Sequence, residues 1–422
     1  MTRSWSEFGS KLTRKSGILS LMDDLGRAMS QDGDICMMGG GNPARISAVE
    51  KVWRRRMEEI LDEGDLFERM LANYDTPQGQ FKFIDALVGF LNDRLGWNLT
   101  EKNIAITNGS QNAFFYLFNL LAGDHAVNTS KKILLPLSPE YIGYADQGVH
   151  EDMFVSYRPE IEHLSGHRFK YHVDFNHVVV DEQVAAICAS RPTNPTGNVL
   201  TDDEVHRLTE LAEQHDIPLI LDNAYGAPFP GIIFSDIKPT WSKTMILVLS
   251  LSKLGLPGTR TGIVIADDPV IEALTAMNSI VSLANGNVGQ TIVEPLLRSG
   301  EMEAISRDLV RPFYEEKSLR AQAMIRESFE DSLPYHIHKS EGALFHWLWF
   351  EGLPISAMEL YERLKVRGVV VVPGHYFFHG LQERWRHSQE CIRVNYSQSE
   401  SQVRKGLGII AEEIARVYGE VS

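Results

Sequence analysis

A lysine placed directly after an apolar run is the part of this sequence most open to a chemical reading. Met245-Ile246-Leu247-Val248-Leu249 leads into Ser250-Leu251-Ser252-Lys253-Leu254-Gly255-Leu256-Pro257-Gly258-Thr259-Arg260-Thr261-Gly262. An amine with an ordinary pKa of about 10.4 resists desolvation unless it is neutral or covalently used. An imine with an aldehyde cofactor removes the difficulty. Arg260 offers a planar fork to a phosphate and Ser250 a hydroxyl, while Pro257 and Gly258 are expected to turn the backbone tightly. Taken alone, Lys253 reads as a surface lysine in a loop. The run also fits S-x-x-K, a serine acyl-transferase motif, but no S-D-N is present, and Lys243-Thr244 continues with Met245 where K-T-G needs glycine.

Other polar groups stand at the ends of apolar runs. Leu219-Ile220-Leu221-Asp222-Asn223-Ala224-Tyr225 ends one in a carboxylate, and a buried carboxylate needs a partner. A protonated ring nitrogen is such a partner, and an anion there keeps the ring an electron sink. Tyr225 is placed to donate to an oxygen of the same ring. The competing reading of Asp222 is a helix N-cap. In Ser190-Arg191-Pro192-Thr193-Asn194-Pro195-Thr196-Gly197 two prolines and a glycine fix an extended turn. The Asn194 amide between them either faces a ligand or is plain turn chemistry. Asn108-Gly109-Ser110-Gln111 opens a helix with Ser110 as its expected cap, so its free N–H groups suit an anion, though any helix start does the same. Tyr141 either stacks on a planar ring or packs beneath the helices.

The elements that must position these groups are legible between residues 100 and 270. Short apolar runs alternate there with helix-period segments, the pattern of a parallel sheet covered by helices. Strands are expected over 103–107, 132–136, 185–189, 217–221, 244–249 and 262–266. A polar loop follows most of them, and in an open α/β sheet such loops gather where ligands bind, at the carboxyl ends of the strands. Beyond residue 300, amphipathic stretches over 311–329, 357–367 and 400–418 are separated by short apolar strands at 346–350, 369–372 and 391–395, which suits a smaller α+β domain. The expected division is an N-terminal arm over 1–36, a large domain over 62–295, and a small domain made of 37–61 and 296–422.

With 422 residues, 43% of them hydrophobic, the chain is too long for a single core and too apolar for disorder. Its net charge of −15, from 41 basic and 56 acidic residues, repels nucleic acid and anionic membranes. The triplet Arg54, Arg55, Arg56 is followed by acids at helical spacing and reads as a solvated helix face. Cys36, Cys188 and Cys391 are scattered and form no C-x-x-C pair, so neither disulfides nor a zinc site is expected. His336 and His338, alternating on a short strand, read as a solvated face and not as metal ligands. No signal peptide and no membrane-spanning apolar run is seen, so a soluble, cytoplasmic chain is expected.

Together with Met38-Gly39-Gly40-Gly41-Asn42-Pro43, Asn73-Tyr74-Asp75, the run from Pro139 to Asp146, the run from Asp222 to Ile232, and Val372-Pro373-Gly374-His375, these segments resemble the aminotransferase class I and II family. Those proteins are fold-type I pyridoxal-phosphate enzymes. The resemblance covers nearly the whole chain. It implies a large domain with a mainly parallel seven-stranded sheet flanked by helices, a smaller α+β domain, and pyridoxal 5'-phosphate as cofactor. By it Lys253 is the Schiff-base lysine and proton carrier, Asp222 the partner of the ring nitrogen, Asn194 and Tyr225 the donors to the ring oxygen, and Tyr141 the stacking ring. Gly109, Ser110, Gln111, Ser250 and Arg260 hold the phosphate, with Tyr74 reaching that of the other subunit of a homodimer. Arg393 takes the substrate carboxylate, and Gly40 and Gly41 belong to the loop closing over it.

The side-chain pocket is expected near Ile18, Gly41 and Tyr376. The implied reaction moves an amino group between small neutral amino acids and 2-oxo acids, with valine and pyruvate as the expected pair. The site chemistry alone equally allows a decarboxylase, racemase or β-lyase. A cofactor-binding transcription regulator shares the fold but needs an added helix-turn-helix module, and only about forty residues precede the glycine loop of this acidic chain.

Overall fold

Runs buried on both faces of a sheet are apolar at every position, and those runs define the centre of this molecule. The structure is a computed structural model that describes residues 4–14, 16, 17, 19, 26, 35–125 and 129–420. Its main sheet contains β1 (Ile104–Asn108), β2 (Thr129–Leu135), β3 (Phe154–Ser156), β4 (Val184–Ser190), β5 (Leu219–Asp222), β6 (Met245–Ser250) and β7 (Thr261–Ile265). Their spatial order is β1-β7-β6-β5-β4-β2-β3. Only β7 runs against the others, pairing antiparallel with both β1 and β6. An eighth, short strand, Gly123–His125, pairs antiparallel with the start of β2.

Every residue of β4, β5 and β6 is buried. Successive side chains along β6 serve opposite layers. Met245, Leu247 and Leu249 join one hydrophobic core, while Ile246 and Val248 join the other, with Phe114 and Leu117 of the helix Ser110–Leu121. Register then aligns the strand ends, because Ser190 lies opposite Asp222 and Ser250 opposite Gly262.

A second sheet has six strands. Its order is Val372–Pro373, Cys391–Asn395, Phe345–Phe350, Tyr335–His338, Arg168–His172 and Glu160–Leu164. The last two strands form a hairpin inserted between β3 and β4 in the chain. They escaped the sequence reading because Glu160–Leu164 has no buried residue and reads as a loop. Cys36–Met37 pairs in parallel with Val369–Val370, and the Asn395 amide donates to the Met38 carbonyl at 2.7 Å. These contacts set the glycines that follow against the strand bearing Arg393.

Several local expectations are corrected. Ser110 does not cap its helix. Gly109 is the N-cap residue, with no side-chain bond to the first turn. Pro257 and Gly258 do turn the backbone tightly, in the 3-10 turn Pro257–Thr259. The positive φ values fall on Gly255 and on Arg260 itself, at 88° and 48°. Arg56 is not on a solvated face but buried, with its Nε donating to the Ile292 carbonyl at 3.1 Å. His338 is buried and accepts the Tyr171 amide at 3.2 Å, while His336 pairs with Glu351. Among the described residues no helix is long and apolar enough to cross a membrane.

Candidate active site

The carboxyl ends of β4, β5 and β6 open into a cavity of about 390 Å³. Lys253, Asp222, Tyr225, Asn194, Tyr141, Ser110, Gln111, Ser250, Arg260, Gly41 and Arg393 all line it, although they are drawn from segments up to 352 residues apart, counting from position 41 to position 393.

Lys253 sits in a short 3-10 turn, Ser252–Leu254, immediately after β6. Its Nζ donates to the Gly41 carbonyl at 2.7 Å and lies 5.1 Å from the centre of the Tyr225 ring. Burial lowers its pKa to about 8; Arg393 and Arg260 push the same way, and Asp222 opposes them. About a tenth of the amine is then neutral at pH 7, where an ordinary lysine has well under a thousandth. A nucleophilic and proton-carrying nitrogen is therefore available near neutral pH.

Asp222 closes the opposite wall. No helix follows it, so the capping alternative fails, and its oxygens are used otherwise. Oδ2 accepts the Tyr144 hydroxyl at 2.6 Å and Oδ1 the Ala224 amide at 2.9 Å. Burial raises its pKa against these two donors and the Lys253 charge. Tyr144 was missed by the sequence reading; it stands one 3-10 turn beyond Tyr141, and the two rings meet edge to face at 5.3 Å. Gly143 lies between them because a Cβ there would come within 2.2 Å of the Tyr141 ring.

Arg393 is 2% exposed. Its Nη1 donates to Asn194 Oδ1 at 2.7 Å and its Nη2 to the Gly39 carbonyl at 2.6 Å. The guanidinium lies 4.2 Å from the centre of the Phe345 ring, and burial brings its pKa down to about 10. Its Nε is buried without a partner. Because Asn194 Oδ1 is taken by the arginine, the NH2 of that amide is the end left for a ligand.

The glycine loop is held by donors from several directions. Besides the Arg393 and Lys253 contacts to Gly39 and Gly41, Asn395 Nδ2 donates to the Gly40 carbonyl at 2.5 Å and Ser397 Oγ to that of Asn42 at 3.0 Å. Asn395 and Ser397 were not read from sequence. Gly41 faces the cavity, and Gly40 reaches it only through this loop.

At the other end, Gly109 has φ 87°, and a Cβ there would stand 2.2 Å from Arg260 Nη2. Glycine thus lets the guanidinium lie against the helix start, where the Asn112 amide donates to the Gly109 carbonyl at 3.1 Å and the Ser110 and Gln111 amides precede the first intrahelical bond. Gln111 is anchored through Nε2 to the Gly143 carbonyl at 3.2 Å. Among the described residues, no carboxylate pairs with Lys253, Arg260 or Arg393. Tyr74 does not line the cavity and is 83% exposed. Tyr376 packs against His375, with ring centres 4.2 Å apart. Ile18 lies outside the described residues.

A lysine of depressed pKa at a strand end, a carboxylate opposite it, and a helix start with an arginine define the cofactor site of a fold-type I aminotransferase. The aminotransferase class I and II model matches residues 44–410, and the chain belongs to that family, which works with pyridoxal 5'-phosphate. It is 49% identical to a valine--pyruvate aminotransferase of Escherichia coli (strain K12), over 99% of each chain. The crystal structure of a valine-pyruvate aminotransferase from Salmonella typhimurium has 48% identity and a TM-score of 0.89, covering 96% of this chain and 100% of that one. A putative amino-acid aminotransferase from Psychrobacter arcticum has 45% identity and a TM-score of 0.96, covering 99% and 100%.

Proposed function

We propose that this aminotransferase moves amino groups between small neutral amino acids and 2-oxo acids, with valine and pyruvate as the physiological pair. The observation that carries the reading is the convergence of Lys253, Arg260 and Arg393 on one cavity with no carboxylate paired to any of them among the described residues. Three such cations call for an anionic ligand with more than one charged group. The donor set fits pyridoxal phosphate and an amino-acid carboxylate: an open helix start beside Arg260, an amine of lowered pKa, and a buried Nε on Arg393 without a partner.

In this reading Arg260, Ser110, Gln111, Ser250 and the amides after Gly109 hold the phosphate, and Asp222 faces the ring nitrogen. Asn194 and Tyr225 donate to the ring oxygen, and Tyr141 covers the ring face. When bound, the cofactor withdraws electrons from the substrate's α-carbon. Arg393 orients the substrate through its carboxylate. Lys253 Nζ would hold the cofactor and would take the proton from the substrate's α-carbon. The loop 39–42 excludes water from that transfer.

Among the described residues no fourth cation lines the cavity, so in this reading a dicarboxylic donor leaves its distal carboxylate unpaired. That costs several kcal/mol, or a factor of about a hundred or more. Specificity constants for valine, alanine and glutamate, with pyruvate or 2-oxoisovalerate as acceptor, test the assignment. Valine and alanine are expected to lead, with 2-aminobutyrate close behind, since a methylene discriminates by only about 1–3 kcal/mol. Glutamate as the best donor by a wide margin overturns it.

The working unit in this reading is a homodimer in the cytoplasm. The backbone on either side of Tyr74 is anchored, with Asn287 Nδ2 donating to the Asn73 carbonyl at 2.9 Å and Asn278 Nδ2 to the Pro77 carbonyl at 2.7 Å. Tyr74 itself lies open to solvent, as do Val281 and Leu283. A second copy covering this face brings Tyr74 to the neighbouring phosphate site. Sedimentation of a fully active monomer is the contrary result. The three free, buried thiols suit a reducing compartment.

A further inference from the structure

One buried acid beside the cavity has no part in the mechanism above. Glu140 is fully buried and, among the described residues, no cation pairs with it. Its Oε1 accepts the Ser190 amide at 2.9 Å, its Oε2 lies 2.6 Å from Ser190 Oγ, and the Tyr141 amide reaches Oε2 at 3.3 Å. Ser190 Oγ is in turn 3.4 Å from the Tyr144 hydroxyl, which donates to Asp222 at 2.6 Å. A chain of hydroxyls therefore joins two buried carboxyl groups, and register makes it continuous, since Ser190 lies opposite Asp222 on adjacent strands.

The geometry points to Glu140 as a positioning residue that holds the one proton shared by this buried pair, so that Asp222 keeps its negative charge through a relay over Ser190 and Tyr144. Two like charges in a dry site cannot both persist. Among the described residues Asp222 is the member that faces a cation, Lys253, and no cation faces Glu140. The other titratable groups turned toward Glu140 are Tyr144 and Tyr141 on its own loop, Cys188 on β4 and Asp222 on β5; burial raises the pKa of each. Burial likewise pushes Glu140 itself up to about 8, with the Asp222 charge adding to it against the Ser190 and Tyr141 donors. In the relay the protonated Glu140 donates to Ser190 Oγ, Ser190 donates to the Tyr144 oxygen, and Tyr144 donates to Asp222. No bond other than these hydrogen bonds is made or broken.

The inference rests on the proposed role of Asp222 toward the ring nitrogen, and two measurements separate them. The first uses the protein without cofactor. An acid whose folded pKa lies above its unfolded value stabilises most below the unfolded value and loses that contribution as pH rises through the folded one. The melting temperature of the wild type should therefore fall relative to Glu140→Gln between pH 5 and pH 8, because the amide keeps the donor and acceptor but not the titration. A difference that stays constant across that range overturns the assignment of the proton to Glu140.

The second measurement follows the pH titration of the visible band in the cofactor-loaded protein. Glu140→Gln is expected to titrate like wild type. Ser190→Ala and Tyr144→Phe, which cut the relay without touching a carboxyl, are expected to change the proton affinity by about tenfold. If Glu140→Gln shifts as far as Asp222→Asn, or Ser190→Ala does not shift at all, the relay is refuted. If the first experiment succeeds and even Asp222→Asn leaves the band unmoved, the reading of Asp222 has failed instead, and the purpose of the relay with it.

Discussion

Replacing Lys253 with alanine is expected to lower amino transfer by about a thousandfold or more, the scale on which positioned proton carriers and nucleophiles act. The loss should be chemical and not structural. The side chain is half-buried, among the described residues hydrogen-bonds only the Gly41 carbonyl, at 2.7 Å, and stands at the mouth of a cavity, so truncating it leaves no sealed void. Melting temperature should change little, and the visible band of the loaded protein should be lost. The phosphate end, built from Gly109, Ser110 and Arg260, should still bind the cofactor. A Lys253→Ala protein with wild-type turnover, freed of added cofactor by dialysis, shows that another amine carries the chemistry.

Asp222→Asn is the second large effect. The asparagine keeps the shape and can still accept the Tyr144 hydroxyl and the Ala224 amide that now hold Asp222 at 2.6 and 2.9 Å. What it removes is the charge opposite the ring nitrogen. Breaking a buried charge pair by neutralising one partner costs about 3–5 kcal/mol, so turnover should fall by about a hundred- to several-thousandfold while cofactor affinity falls far less. An unchanged rate of α-proton exchange into solvent assigns Asp222 a purely structural place at the end of β5.

The residues that carry most of this chemistry were legible before the fold was seen, for a physical reason. Strands covered on both faces appear in sequence as unbroken apolar runs, so the polar residue that ends each run is conspicuous. Lys253 after β6, Asp222 at the end of β5 and Asn194 after β4 were found that way. Arg393 was carried chiefly by family resemblance, since an arginine between apolar neighbours is expected to find an internal carboxylate. The structure gives it an amide and a carbonyl instead.

The remainder depended on distance in the chain. Nothing local marks Tyr144 as the donor to a carboxylate 78 residues away, or Asn395 and Ser397 as anchors of a loop 355 residues before them. The hairpin over Glu160–Leu164 and Arg168–His172 gains its strand character from Tyr335–His338, a partner far along the chain, and its own residues are too polar to announce it. Glu140 stands in a recognised motif, yet its lack of a cation partner among the described residues is a property of the packed interior.

The central claim is that this cavity transfers an amino group, and a half-reaction tests it most directly. Cofactor-loaded protein is mixed with L-valine alone, without any 2-oxo acid, and the visible band and products are followed. Amino transfer predicts that the band disappears and that one 2-oxoisovalerate is formed per site, with no ammonia and no carbon dioxide; pyruvate then restores the band and yields alanine. A band that persists while valine racemises or loses carbon dioxide contradicts the account.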